Sequence, residues 1–376
     1  MLERIFTILK KEFLQVLRDP RMKTTIFISP MVQVLIFGYA ATMDITNVPT
    51  AVYDLDNTKE SREVMRDFSY SQYFNIKRHL SNEQQMLRVI DRSSVNAVFK
   101  FNRGFARDIV GNNNAQLQVI VDGTDSNAAS IILSYAGQIT GKYNYRRMQE
   151  RLWASAGKEV NYPSVDLRDR RWFNENLESK NFFLPGVIAL IVTMMSLLLS
   201  SMAIVREKEI GTMEQLIVSP IRPIELMLGK LIPFGIIALV QLCLITTIGV
   251  LWFHLPVRGS FFFLFICTLA YLLTSLGAGL FISTVSSTQQ EAMMSVFLFY
   301  FPATLLSGFA YPIANMPKLI QYITYLNPLR YYLVILRSIF LKGSGIRLLW
   351  DELCVLLIIG VGVIVLSSLR FRKRLG

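Results

Sequence analysis

Six stretches of this chain contain no Asp, Glu, Lys, Arg or His: Thr24–Met43, Phe182–Val205, Leu231–Phe253, Ser260–Val285, Ala292–Ala310 and Leu353–Leu369. About 20 residues of helix cross the hydrocarbon core of a bilayer, within a range of about 17–25. All six windows fit that length or come close to it, and the buried helices of a large soluble core would not supply six of them. The 376 residues are 52% hydrophobic and 18% charged, whereas an ordinary soluble domain is about 25% charged. The expected architecture is an all-α polytopic membrane domain of six transmembrane helices, with a polar segment inserted after the first of them as an extracytoplasmic α/β domain. The expected boundaries are an amphipathic interface helix over 1–23, the first span over 24–43, the inserted domain over 44–180 and a five-helix region over 181–376.

The net charge of +12 is unevenly placed. Between Asp44 and Lys180, 19 Lys and Arg nearly balance 17 Asp and Glu, so most of the excess belongs to the membrane part and its flanks. Six basic residues lie in 1–23 and four in the closing "RFRKRLG". Cationic residues beside spans mark the cytoplasmic side, so the charge reports topology and implies no nucleic-acid partner. Both termini are then cytoplasmic and the insert is outside. Residues 311–352 fit this rule poorly, because they are assigned outside yet carry Lys318, Arg330, Arg337, Lys342 and Arg347.

Several chemistries are excluded. The first window follows a long charged segment and precedes no small-residue cleavage site, unlike a secretory signal. Cys243, Cys267 and Cys354 all fall inside windows, and His79 and His254 are isolated, so neither a disulfide framework nor a metal site is expected. There is no GxxxxGK[ST] phosphate loop, no GxSxG and no HExxH. The chain is therefore not expected to be an enzyme by itself.

Local patterns fill in the parts. In "MLERIFTILKKEFLQVLRDP", Ile5, Phe6, Leu9, Phe13, Val16 and Leu17 recur at helical spacing with Lys10, Lys11 and Arg18 on the other side, which predicts an interfacial amphipathic helix closed by Pro20. The insert alternates strands ("VPTAVYD", "YFNIKR", "VNAVFKF", "AQLQVIVDG") with helices ("TKESREVMRDF", "SNEQQMLRVI", "NRGFARDIVG") before a long helix over Asn127–Ala154, the pattern of an α/β module. Asp54, Asp56, Asp122 and Asp125 sit near strand ends, where α/β folds place ligand clefts, although aspartates there more often make turns. Residues 311–345 are apolar but broken by Pro312, Pro317 and Pro328, which predicts short re-entrant or interfacial helices.

The stretch "REKEIGTMEQLI" (206–217) is charged and lies between two apolar windows. Thr212 with Gln215 three residues later is a capping-box pattern, and Ile210, Met213, Leu216 and Ile217 share one helical face. An inner loop needs only a short turn. A capped helix with an apolar stripe fits a docking surface better than a connection, and a helix lying on the membrane is the other reading. This stretch, extended as "REKEIGTMEQLIVSPIRPIELMLGKLIP", resembles the hallmark segment of ABC type-2 exporter permeases, and so does "LSGFAYPIANMPKLIQYITYLNPLRYYLVILRSIFLKG". Their order along the chain also matches.

That resemblance implies that 206–222 is the coupling helix that fits a groove on a separate ATPase. Arg206, Glu207, Lys208 and Glu209 would form its charged elbow. Gly211, Thr212, Met213, Glu214, Gln215, Leu216 and Ile217 would dock, and Glu225 and Lys230 would flank the third span. ATP and Mg would bind the partner subunit, with no cofactor in this chain. The implied assembly has two permeases, identical or paralogous, and two ATPase subunits in a bacterial cytoplasmic (inner) membrane, with a periplasmic adaptor as a further candidate partner. The substrate would be apolar or amphipathic (a drug, lipid or hydrophobic metabolite), and Met194, Met195, Met293 and Met294 are candidates for an adaptable lining, although methionine in a span more often simply packs. An ion-coupled secondary transporter needs ionisable groups within spans, which the six windows lack. A membrane receptor or assembly protein using the external domain is the remaining alternative.

Overall fold

The computed structural model describes residues 2–40, 47–111, 113–156, 172–174, 178–212 and 223–375. Two compact units emerge, one formed by Met1–Met43 with Arg170–Gly376 and the other by Asp44–Asp169.

The second unit is built on a four-stranded sheet of β1 (Val48–Asp54), β2 (Phe74–His79), β3 (Ala97–Phe101) and β4 (Leu117–Val121) in the order β2-β1-β3-β4. β1 runs parallel to both β2 and β3, and β4 closes the edge antiparallel to β3. Side chains alternate across a strand. Val48, Val52, Phe99 and Phe101 therefore enter one core with Val64 and Phe68 of α4 (Lys59–Tyr70), Ile109 of α6 (Phe105–Val110) and Ile132 of α7 (Ser126–Ala156). Ala51, Tyr53 and Val98 enter a second core with Met86 and Val89 of α5 (Glu83–Asp91).

The strand-end aspartates serve the backbone. Asp54 accepts from the amides of Asp56 and Asn57 and from Ser61 Oγ. Asp56 accepts from the amides of Gly104 (2.8 Å) and Ala106 (2.9 Å). These are the orphan donors at the start of α6, whose N-cap is Gly104 and has no capping side chain. Burial opposes the charge of Asp56, but the Ala106, Thr58 and Gly104 hydrogen bonds outweigh it and hold the carboxyl below its usual range. Asp122 and Asp125 likewise accept from the amides of Thr124 and Ala128. This is turn and cap chemistry.

The first unit is helical. α1 (Leu2–Arg18) leads through α2 (Pro20–Lys23) and a π-helical turn (Thr24–Ile28) into α3 (Ser29–Ala40). After the insert come α8 (Ser179–Ile210), α9 (Pro223–Phe253), α10 (Phe261–Val285) and α11 (Gln289–Leu305). The short helices α12 (Lys318–Thr324) and α13 (Pro328–Arg337) precede α14 (Ile346–Leu375). Among the described residues four helices are long and apolar enough to cross a membrane: Ser179–Ile210, Glu225–Phe253, Phe261–Val285 and Ile346–Arg370. Thr24–Ala40 is a shorter apolar helix, and α11 has 17 residues. The prolines of 311–345 stand at helix starts, with Pro317 as the N-cap of α12 and Pro328 opening α13, where the missing N–H costs nothing.

α10 is the centre of this unit and packs on both α8 and α14. Gly279 brings α10 so close to α8 that a Cβ there would meet the Leu197 carbonyl at 2.7 Å and collide with Ser200. Gly277 faces Ile364 and Val363 of α14, and its carbonyl accepts from Ser367 Oγ at 2.9 Å. The small residues "GAGLFIS" thus join helices of one chain. Thr193 bonds Tyr271 and Ser196 bonds Ser275 along the same seam, and Tyr271 stacks on Tyr332 of α13 at 4.0 Å between centroids.

Candidate coupling site

The end of α8 carries Arg206, Glu207, Lys208 and Glu209 in succession. Four consecutive helical residues point in four directions about 100° apart. Between them they find partners on α1, α2, α9 and the adjoining ends of α10 and α11.

Arg206 turns toward the N-terminal segment, with Nη1 3.3 Å from Met22 Sδ. With its carboxamide oriented so that the oxygen faces the guanidinium, Gln15 accepts from Arg206 Nε at 3.1 Å. Glu207 is buried, and its Oε1 accepts from Lys11 (2.8 Å) and Lys230 (3.1 Å). Lys208 Nζ donates to the carbonyls of Ser283, Thr284 and Ser286, at 3.1–3.3 Å, where α10 ends. Glu209 accepts from the amide of Gln289 at 2.7 Å and from its side chain, where α11 begins. A cation at a helix C-terminus and an anion at a helix N-terminus both complement the macrodipole. The two charges therefore hold opposite ends of adjoining helices. α11 has its own N-cap, in which Thr288 accepts from the Glu291 amide, and Glu291 accepts from the Ser287 amide just before the cap.

At the centre is Lys230, 3% exposed. An ammonium has three donors, and all are used, by Glu12 Oε1 (3.0 Å), Glu207 Oε1 (3.1 Å) and the Ala203 carbonyl (2.8 Å). Glu12 is 5% exposed. Burying ions costs several kcal/mol each unless partners and hydrogen bonds compensate. Here Lys11, Glu12, Glu207 and Lys230 form a cluster with no net charge. The cluster fastens α1, α8 and α9 to one another.

The sequence missed Glu12. α1 is amphipathic as expected, but the face turned to its neighbours includes Ile8, Glu12 and Val16. Ile8 seats on Gly229 of α9, where a Cβ would meet Ile8 Cγ2 at 2.7 Å, and Val16 is buried. An i, i+4, i+8 reading that admitted a buried acid would have found this face. Thr212, whose capping partner Gln215 lies outside the described residues, stands beside the cluster. Gly211 ends α8 in the left-handed region (φ 80°), and the Thr212 hydroxyl proton goes to the Glu207 carboxylate. Met213, Glu214, Gln215 and Leu216, with the rest of 213–222, lie outside the described residues.

The methionines do not share one environment, and Met194 on α8 is half-buried. Met195 is in the core of the first unit, whereas Met293 and Met294 are exposed on α11. A cavity of about 520 Å³ between α10, α11 and α14 is lined instead by Ala278, Phe281, Leu298, Phe299, Val363 and Leu366, among others.

The matching family model is that of the ABC-2 family transporter proteins, over residues 23–369. This chain belongs to that family. It is 34% identical over 359 residues to the probable multidrug ABC transporter permease YbhR of Escherichia coli K12, covering 96% of this chain and 95% of the relative. It is 30% identical over 377 residues to the probable multidrug ABC transporter permease YbhS of the same organism, covering 99% and 97%. It is 28% identical over 381 residues to the inner membrane transport permease YhhJ, also of Escherichia coli K12, covering 100% and 98%. The chain is thus an ABC transporter permease of the type-2 class and a membrane protein.

Proposed function

We propose that this permease is the membrane-spanning subunit of an ATP-driven exporter that moves an apolar or amphipathic substrate outward across the cytoplasmic membrane. The observation that carries the reading is the convergence of α1, α8, α9, the end of α10 and the start of α11 on Arg206–Glu209, immediately before 213–222. A push delivered to that segment by an ATPase reaches α8 directly and α1, α9, α10 and α11 through hydrogen bonds of 2.7–3.3 Å. The family implies an ABC ATPase, which would bind the ATP and Mg. We further assign six spans, counting Thr24–Ala40 and α11, with both termini cytoplasmic and the Asp44–Asp169 unit outside. Two permease copies or paralogues would complete the pathway, with a periplasmic adaptor as a further partner. The apolar lining between α10, α11 and α14 supports the substrate class, and so does the word multidrug in the names of two relatives. An ion-coupled carrier is disfavoured because Lys230, a buried cation on a long apolar helix, has every donor engaged.

The test is co-purification of the tagged chain from gently solubilised membranes, followed by ATPase and transport assays in nanodiscs and vesicles. A stoichiometric phosphate-loop ATPase whose turnover responds to substrate is expected. If no ATPase accompanies the chain under conditions that preserve known complexes of this kind, the reading fails.

A further inference from the structure

The cavity of about 520 Å³ between α10, α11 and α14 is a groove on the outer side of the first unit. Leu298 of α11 and Leu366 of α14 line it and are exposed, and α14 is the least buried of the four long apolar helices. Leu326 and Pro328 meet the groove at the level of Thr274, in the middle of α10. Tyr332, one turn into α13, stacks on Tyr271 and bonds Thr268 at 3.1 Å, which holds that turn at mid-helix depth. From Thr274 to the end of α10 at Val285 the helix rises about 16 Å, half the roughly 30 Å hydrocarbon core of a bilayer. The groove therefore belongs to one leaflet, and among the described residues no charged side chain lines it.

The chemistry changes beyond the end of the groove that lies away from Leu326. Ile359, Val363 and Leu366 are the α14 residues that line it. They recur at i, i+4 and i+7, and the next position of that stripe, i+11, is Arg370. Arg370 is exposed and is the last residue of the apolar span Ile346–Arg370. It opens "RFRKR", four cations in five residues. Clusters of about 4–8 Lys and Arg at the cytoplasmic end of a span attract anionic lipid. Flanking cations alone report topology. A cation in register with the stripe that lines a groove stands where the headgroup of a lipid must be if its chain lies in that groove. The acids at the start of α11 are already engaged, Glu209 by Gln289 and Glu291 by the Ser287 amide.

We propose that this groove holds an acyl chain of an anionic phospholipid of the cytoplasmic leaflet, with the phosphate received by Arg370. The proposal goes beyond the export reading and rests on it only for the leaflet.

Brominated acyl chains quench tryptophan on contact, and this tests the proposal on the full chain. The four tryptophans are replaced by Phe, Phe299→Trp is the reporter, and the vesicles are phosphatidylcholine with rising fractions of dibrominated phosphatidylglycerol or dibrominated phosphatidylcholine. The expected affinity for phosphatidylglycerol is about fivefold that for phosphatidylcholine, the effect of one cation beside an anionic headgroup. Arg370→Gln should bring the two lipids within about twofold of each other, and Ala278→Phe, which fills the groove without touching Arg370, should do the same. Ile232→Trp, exposed on α9, should show no preference when it replaces the reporter. Equal affinities at Phe299→Trp, a preference that survives Arg370→Gln, or the same preference at Ile232→Trp overturns the proposal. Where the Phe background does not fold, native mass spectrometry of the parent chain decides. Retention of phosphatidylglycerol over phosphatidylcholine, lost in Arg370→Gln, is expected, and equal retention overturns the proposal. The readout is lipid contact alone, so a missing ATPase partner would defeat the export reading and leave this result standing.

Discussion

Lys230 is a single residue whose removal has a calculable consequence. Lys230→Met keeps the length of the stem but leaves Glu12 and Glu207 buried, with only Lys11 to offset them. Removing one partner of a buried ion pair costs about 3–5 kcal/mol. The expected outcome is a lower melting temperature and loss of transport. Glu12→Leu combined with Lys230→Met, which also removes one of the two buried acids left unpaired, should recover much of the stability. Equal stability of the single and double variants would show that the cluster is not the constraint its burial implies. Asp56 makes a prediction about pH. Its folded pKa is lowered, so its contribution is present above the ordinary aspartate value of about 3.9 and is lost as pH falls through the folded value. Protection factors of the amides at Phe105–Val110, taken against intrinsic exchange at the same pH, should therefore fall in acid in the parent and be lowered already at neutral pH in Asp56→Ala, by about 1 kcal/mol of cap energy. Exchange that is unchanged by the substitution would remove Asp56 as the cap of α6.

Between elements, small residues and helix ends set the geometry. Gly279→Leu must push α10 away from Ser200 and the Leu197 carbonyl. It should therefore destabilise the protein by about 1–3 kcal/mol through overpacking, read as a lower melting temperature in nanodiscs, and wild-type stability would mean that this seam is loose. Lys208→Glu places an anion on the carbonyls that end α10 and reverses a favourable dipole contact. ATP hydrolysis that continues while transport falls severalfold is expected. Unchanged transport per ATP would place coupling elsewhere. The elements themselves were largely legible. The β1 and α4 patterns and the proline breaks at 312, 317 and 328 are local chemistry, and the structure places elements where that chemistry predicts. The site was legible only in part. The charges of Arg206–Glu209 stand out in the sequence, but their partners lie up to 196 residues away, and periodicity carries no record of which distant helix a side chain meets. Glu12 was overlooked for the same reason, since an acid on an amphipathic helix reads as solvated until a buried lysine from α9 is placed beside it.

For the whole molecule the question is what moves. If the ion cluster makes α1, α8 and α9 one body, then α1 does not slide on α9 during the cycle, and motion arriving at 213–222 is passed on by the body as a unit. A covalent bond between α1 and α9 should then be harmless. Ile8 and Gly229 provide the place, because an ideal Cβ at 229 lies 2.9 Å from Ile8 Cβ, and a disulfide wants about 3.5–4.5 Å between Cβ atoms, a difference that a slight shift of α1 supplies. In a background with Cys243, Cys267 and Cys354 replaced by Ala or Ser, Ile8→Cys with Gly229→Cys should oxidise readily and retain ATP-driven transport within about twofold of the reduced form, with a higher melting temperature from the added cross-link. A loss of transport that reductant restores would mean that α1 and α9 must separate in each cycle. Glu12, Lys230 and Glu207 would then be a latch that opens, and the energy of the cluster would belong to the resting state alone.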